Sequence, residues 1–254
     1  MKKLLAALLV LAACKSVPYT NRKALLLVSA SEEAALGESE YKNALSQAKV
    51  STDAAANAQL QRVGARLAKA ADKPDYKWEF TLLDDPKMIN AWCLPGGKVA
   101  VYTGILPVTK DDDGLAVVLG HEIAHALARH GSERMSQGLL AQLGGAALST
   151  AMASKPAATQ QLAQQAYGVG ANVGVLLPFS RGQESEADRI GLIIMSKAGY
   201  DPEASVGFWE RMSQAAGGSN TSPLDKYLRT HPPDDQRIED IRKWIPEAKG
   251  HARR

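Results

Sequence analysis

Cysteine is scarce in this chain of 254 residues, where only Cys14 and Cys93 occur. A disulfide framework is therefore excluded, as is a zinc site built from thiolate pairs. Aromatic residues are few, with 3 Phe, 4 Trp and 7 Tyr, so Ala and Leu carry the apolar content and lean the chain towards helix. Net charge is also small. The 30 Lys and Arg exceed the 27 Asp and Glu by +3, and Lys2 and Lys3 lie in a segment expected to be removed, which leaves no electrostatic case for nucleic acid. No apolar run reaches the roughly 20 residues that a spanning helix needs. The first is broken by Lys15, Pro18 and Asn21, and the run from Leu139 to Ala153 contains Gln142, Ser149 and Thr150. No repeat of about 20–50 residues is visible, which excludes a helical-repeat scaffold. What remains, 45% apolar and 22% charged, is the composition of an ordinary globular protein.

The first residues combine Lys2 and Lys3, an apolar stretch from Leu4 to Leu11 and a small-residue end, the pattern of a secretory signal. Leu11-Ala12-Ala13-Cys14 resembles the lipobox of bacterial lipoproteins, which implies cleavage before Cys14 and acylation of its thiol. Lys15 in the next position implies the outer membrane of a Gram-negative cell. The expected organisation is a signal peptide over 1–13, a lipidated tether over 14–30 and a single domain over 31–254. The membrane is then reached through lipid on the periplasmic side. Cys93, between apolar neighbours, reads as a small buried hydrophobe.

Helical spacing predicts two packing helices within 31–71, the first capped at Ser31-Glu32-Glu33 and the second at Ser51-Thr52-Asp53. Trp78 to Leu83 alternates like a strand, and Lys98 to Thr103 is a second strand entered through Gly96-Gly97. A long helix capped by Asp111 to Asp113 is expected from Leu115 to about Arg134. Residues 136–177 read as a helical hairpin interrupted at Lys155-Pro156. The last helical region runs from Glu184 to Ala198, stops at Gly199 and restarts at Asp201-Pro202.

The chemistry is concentrated at His121-Glu122-Ile123-Ala124-His125. Four residues along a helix turn through 400°, so both imidazoles leave one face a turn apart and can converge on one metal ion. Glu122, 100° around from His121, lies close enough to take a proton from water at that ion without ligating it. A catalytic zinc takes three protein ligands, so one more must come from elsewhere. The segment from Ser180 to Gly191 supplies carboxylates. Glu184 and Asp188 share a face, which assigns Glu184 as ligand and Asp188 as the acceptor of a ligand histidine's free N–H. Glu186 is 200° from Glu184 and reads as a solvated or Arg-paired carboxylate of no account to the metal. His130, near the expected helix end, and His251, in a basic tail, are assigned no site.

Asn90-Ala91, the run from Pro95 to Gly104, the HExxH motif from His121 to His125, the segment from Glu184 to Gly191, and Thr230-His231-Pro232-Pro233 with Arg237-Ile238 occur in this order. Together they resemble the HtpX-like and CAAX-prenyl-protease-like zinc metallopeptidases, metallopeptidase family 48, over about residues 50–245. The match is closest to the soluble periplasmic lipoprotein branch. The resemblance implies an α+β fold, mainly α-helical and minigluzincin-like, with a small sheet packed beside the active-site helix. It implies one Zn2+ per chain held by His121, His125 and Glu184, with Glu122 as general base and Asp188 beside a ligand histidine. It places Asn90 and Ala91 on an edge strand that binds substrate backbone. His231 approaches the metal, either as a plug in the open position or as an oxyanion donor. The reading adopted is a zinc endopeptidase acting on extended, unfolded or misfolded envelope proteins. The alternative is a latent lipoprotein of the same fold acting as a binding or chaperone-like factor.

Overall fold

The computed structural model of the protein describes residues 14–171, 177–216 and 236–252. Its elements follow the chain as β1 (Cys14–Ser16), β2 (Lys23–Leu25), α1 (Ala30–Ser46), α2 (Ala54–Ala71), β3 (Glu79–Leu83), β4 (Ala91–Leu94), β5 (Lys98–Tyr102), α3 (Leu106–Thr109), α4 (Asp112–Ala128), α5 (His130–Met152), α6 (Ala157–Ala171), α7 (Leu177–Lys197), α8 (Ala204–Ala216) and α9 (Arg237–Gly250). The class is α+β and mainly helical, as expected. Among the described residues no helix is long and apolar enough to cross a membrane.

The sheet has the order β3-β5-β4, with β3 parallel and β4 antiparallel to the central β5. Alternation in the sequence exposed β3 and β5. It did not expose the short β4, whose residues after Ala91 are only half-buried. β5 is buried from Lys98 to Val101. Lys98 is tolerated there because its ammonium meets Glu38 at 3.0 Å and also Glu79, and a buried charge needs such partners.

α4 is the centre of the molecule. Every residue from Gly114 to Ala128 is buried, so its apolar character runs all the way round, as in a helix with packing partners on each side. β4 and α2 lie against it, and α7 crosses it most closely of all. That crossing depends on two glycines. A Cβ at Gly120 would stand 3.0 Å from the Gly191 carbonyl oxygen, and one at Gly191 would stand 2.9 Å from the His121 nitrogen. With no side chain at either position the two backbones meet, and the histidines of α4 face the carboxylates of α7.

The helix expected to continue to about Arg134 stops at Ala128. Arg129 takes a left-handed conformation, φ 57° and ψ 37°, and α5 starts anew at His130. An L-residue in that conformation costs about 1–2 kcal/mol. Arg129 is held there by its guanidinium, which donates to Glu33 Oε2 at 2.6 Å and to the Val28 carbonyl at 2.9 Å. Elsewhere the differences are smaller. The first helix is capped by Ser29, with a capping box to Glu32, rather than at Ser31, while Asp53 caps the second as expected. α5 and α6 form the expected hairpin, tied by Tyr167 to the Ala141 carbonyl at 3.0 Å, and their outer faces expose Leu139, Leu143 and Leu162.

Residues 14–30, read as a tether, are folded. β1 and β2 pair antiparallel, and Val17, Ala24 and Leu26 are buried in the main core. Val17, Ala24 and Leu26 form the inward face of this segment. Arg22 fixes it, gripping Glu133 of α5 through two bonds of 2.6 and 2.8 Å.

Candidate metal centre

α4 presents His121 and His125 one turn apart, and α7 presents Glu184 opposite them. All three are buried, and they are the group among the described residues whose ligand atoms converge as a metal site would require. The His121 and His125 Nε2 atoms are 3.1 Å apart. Glu184 places Oε2 3.3 Å from His121 Nε2 and Oε1 3.2 Å from His125 Nε2. A tetrahedral ion with bonds of about 2.0–2.1 Å holds its ligands about 3.3 Å apart, so these separations suit a zinc-sized ion. The donor set, two imidazole nitrogens and a carboxylate, suits it chemically as well.

Both imidazoles are oriented from behind. His121 Nδ1 lies 2.9 Å from Asp188 Oδ1, the contact expected from the shared face of Glu184 and Asp188. Asp188 is in turn clamped by Arg237, whose Nε is 2.7 Å from Oδ2 and whose terminal nitrogen donates to Oδ1 at 2.7 Å. The guanidinium carbon lies over Trp209, 3.3 Å from the ring centroid, and Trp209 meets His121 edge-on. Arg237 was visible only as part of a motif; this clamp gives it a physical task. Burial works to lower the His121 pKa, but the hydrogen bond to Asp188 and the Glu184 carboxylate outweigh it and carry it to about 9. For His125 burial prevails, and its pKa falls well below the ordinary value.

The second histidine has a support that the sequence did not reveal. His125 Nδ1 lies 2.8 Å from Nδ1 of His130, and His130 Nε2 lies 3.0 Å from Glu186 Oε2. His130 is fully buried and Glu186 nearly so. Glu186 is thus Arg-paired, by Arg22 at 2.7 Å, but it is neither solvated nor remote from the metal ligands. Burial would raise its pKa, yet the bonds from His130, Arg22 and Thr20 hold it at about 2.

Glu122 is buried on α4 next to His121. It lies close enough to Cys93 of β4 that its charge, after burial, helps push that thiol's pKa up. Asn90 is buried just before β4, and its Oδ1 accepts from the Ala91 amide at 2.9 Å. β4 occupies a sheet edge beside α4, where the edge strand was expected. Cys14 is exposed at the start of β1. His231 lies outside the described residues.

The sequence matches the model of peptidase family M48 over residues 54–245. It is 37% identical over 235 residues to the mitochondrial metalloendopeptidase OMA1 of Schizosaccharomyces pombe, covering 91% of this chain and 66% of that protein. The Saccharomyces cerevisiae protein of the same name is 33% identical, with 91% and 69% covered. The beta-barrel assembly-enhancing protease of Yersinia pestis is 30% identical, with 92% of this chain and 48% of the relative covered. The chain therefore spans about two thirds of the yeast relatives and about half of the bacterial one.

Proposed function

Because this chain belongs to peptidase family M48, we propose that it is a zinc-dependent endopeptidase that cleaves unfolded or misfolded proteins of the cell envelope. The observation that carries this reading is the convergence of His121, His125 and Glu184 at 3.1–3.3 Å with Glu122 one residue away on the same buried helix. Zinc held by these three side chains would supply Lewis-acid polarisation of a scissile carbonyl and would lower the pKa of water at the site towards neutrality. Glu122 accepts that proton on its carboxylate and returns it to the leaving amine. Asp188 and Arg237 keep His121 in the tautomer that offers Nε2.

Substrate docks as an added strand on the outer edge of β4, starting at Asn90 and Ala91, so that main-chain hydrogen bonds align it beside α4. Only an extended segment can do this, which selects unfolded polypeptide over compact protein. Cys14 carries the lipid that holds the enzyme on the periplasmic face of the outer membrane. His231 is assigned the remaining role at the site, as a plug in the resting state or as an oxyanion donor.

Zinc content by mass, followed by casein cleavage with and without a chelator, tests the proposal. Stoichiometric zinc and chelator-sensitive cleavage are expected. Zinc-loaded protein that binds unfolded polypeptide without cleaving it would favour the chaperone-like alternative.

A further inference from the structure

The two ligand histidines are supported in different ways. His121 meets a carboxylate directly, whereas His125 reaches one only through a third histidine. A histidine that gives Nε2 to a metal carries its proton on Nδ1. His125 therefore donates to Nδ1 of His130, which leaves the His130 proton on Nε2, where Glu186 Oε2 accepts it at 3.0 Å. Glu186 also accepts from the Thr20 hydroxyl and from Arg22 Nε at 2.8 Å. Arg22 turns its two terminal nitrogens to Glu133, one of them also lying 2.7 Å from Glu186 Oε2, and Gln183 donates to the Glu133 carboxylate at 2.9 Å. Each donor and acceptor in this sequence has a matching partner, and each ring has one usable tautomer.

The helix break creates this arrangement. On an uninterrupted helix His130, five residues after His125, would point about 140° away from it. The left-handed Arg129 turns the chain so that the two rings face each other at 2.8 Å.

We propose that His130 is a positioning residue for the metal ligand His125, and that Glu186 with Arg22 and Thr20 makes the N-terminal β1–β2 segment a working part of the metal site. The inference rests on the metal reading above and deepens it. It reaches outside the family-matched region, because Thr20 and Arg22 precede residue 54. The ligand side of the assembly fixes one tautomer and one ring orientation, and the outer side fixes Glu186. Orienting partners of this kind are worth about 10–100-fold in metal affinity when removed.

The test is zinc affinity of the full chain by competition with a chromophoric chelator, together with the visible absorption of the Co2+-substituted protein. His130→Ala should weaken zinc about 10–100-fold and alter the Co2+ bands. His130→Gln, whose side-chain oxygen can accept from His125 Nδ1, should recover part of the loss. Glu186→Gln and Arg22→Ala should each weaken zinc, and combining either with His130→Ala should add little, since all act through one ring. A wild-type protein that binds no zinc would overturn the metal reading itself. A wild type that binds zinc, with folded His130→Ala matching its affinity and Co2+ spectrum, would overturn the positioning role alone. A loss in His130→Ala that Arg22→Ala does not share at all would remove the N-terminal segment from the site.

Discussion

Gly120 and Gly191 meet backbone to backbone, so closely that a Cβ on Gly191 would lie 2.9 Å from the amide nitrogen of His121. Gly191→Ala must therefore push α7 from α4 at the point where ligands from both helices converge. A loss of about 1–3 kcal/mol in stability is expected, as for overpacking of a tight core, with weakened zinc binding. Gly182→Ala, also on α7 but with nothing among the described residues within 4 Å of its would-be Cβ, should be neutral or slightly stabilising. Urea unfolding of both variants checks the contrast, and equal behaviour would count against the close crossing.

Glu122→Gln keeps the shape of the side chain and removes the base. Zinc should remain stoichiometric while cleavage of unfolded casein falls about 10²–10⁴-fold, the range of general-base contributions. Ordinary turnover in this variant would remove Glu122 from the mechanism.

Arg237→Ala leaves Asp188 as a buried carboxylate without its clamp. Breaking such a pair from one side costs about 3–5 kcal/mol. Arg237→Lys should restore only part, because an ammonium cannot span both carboxylate oxygens while also lying over Trp209. Thermal unfolding in the presence of a chelator measures this without interference from metal.

The Glu186 carboxyl is held at about 2 against an ordinary 4.5. A folded-state value below the unfolded one means stability that is fully present above about pH 4.5 and is lost as the pH falls towards 2. Glu186→Gln should be less stable at neutral pH yet lose less between pH 4.5 and 2. Parallel acid-unfolding slopes for variant and wild type in that window would contradict the assignment.

Cys14→Ser should shift the protein from the membrane to the soluble periplasmic fraction or leave its signal uncleaved. Fractionation and mass measurement of the N-terminus decide it, and normal processing with membrane retention would exclude acylation as the anchor.

What was legible in the sequence was whatever a single helix encodes by spacing. His121 with His125, and Glu184 with Asp188, stand four residues apart, and the structure sets each pair on one face. The family resemblance drawn from the ordered motifs is borne out by the match over residues 54–245. The Arg129 break was not legible, because its stabilisation comes from Glu33 and Val28, about a hundred residues away in the chain. Without the break, His130 looked like one more residue near a helix end and Glu186 like a solvated or Arg-paired carboxylate away from the metal. Their partners, Arg22 above all, leave no periodic trace because they belong to a short segment with too few residues to show a pattern.

The union of Arg22 with Glu186 also bears on the order in which the molecule can form. His121 and Asp188 are 67 residues apart in the chain, whereas Arg22 and Glu186 are 164 apart. Closing the longer loop costs about 0.8 kcal/mol more in chain entropy, so the helix pair that carries the ligands can assemble before the outer support arrives. If the helix pair forms first, the site would gain its firm hold on an ion only once the leading segment has docked. In a refolding experiment the rate at which zinc becomes resistant to chelation would time the arrival of residues 14–30.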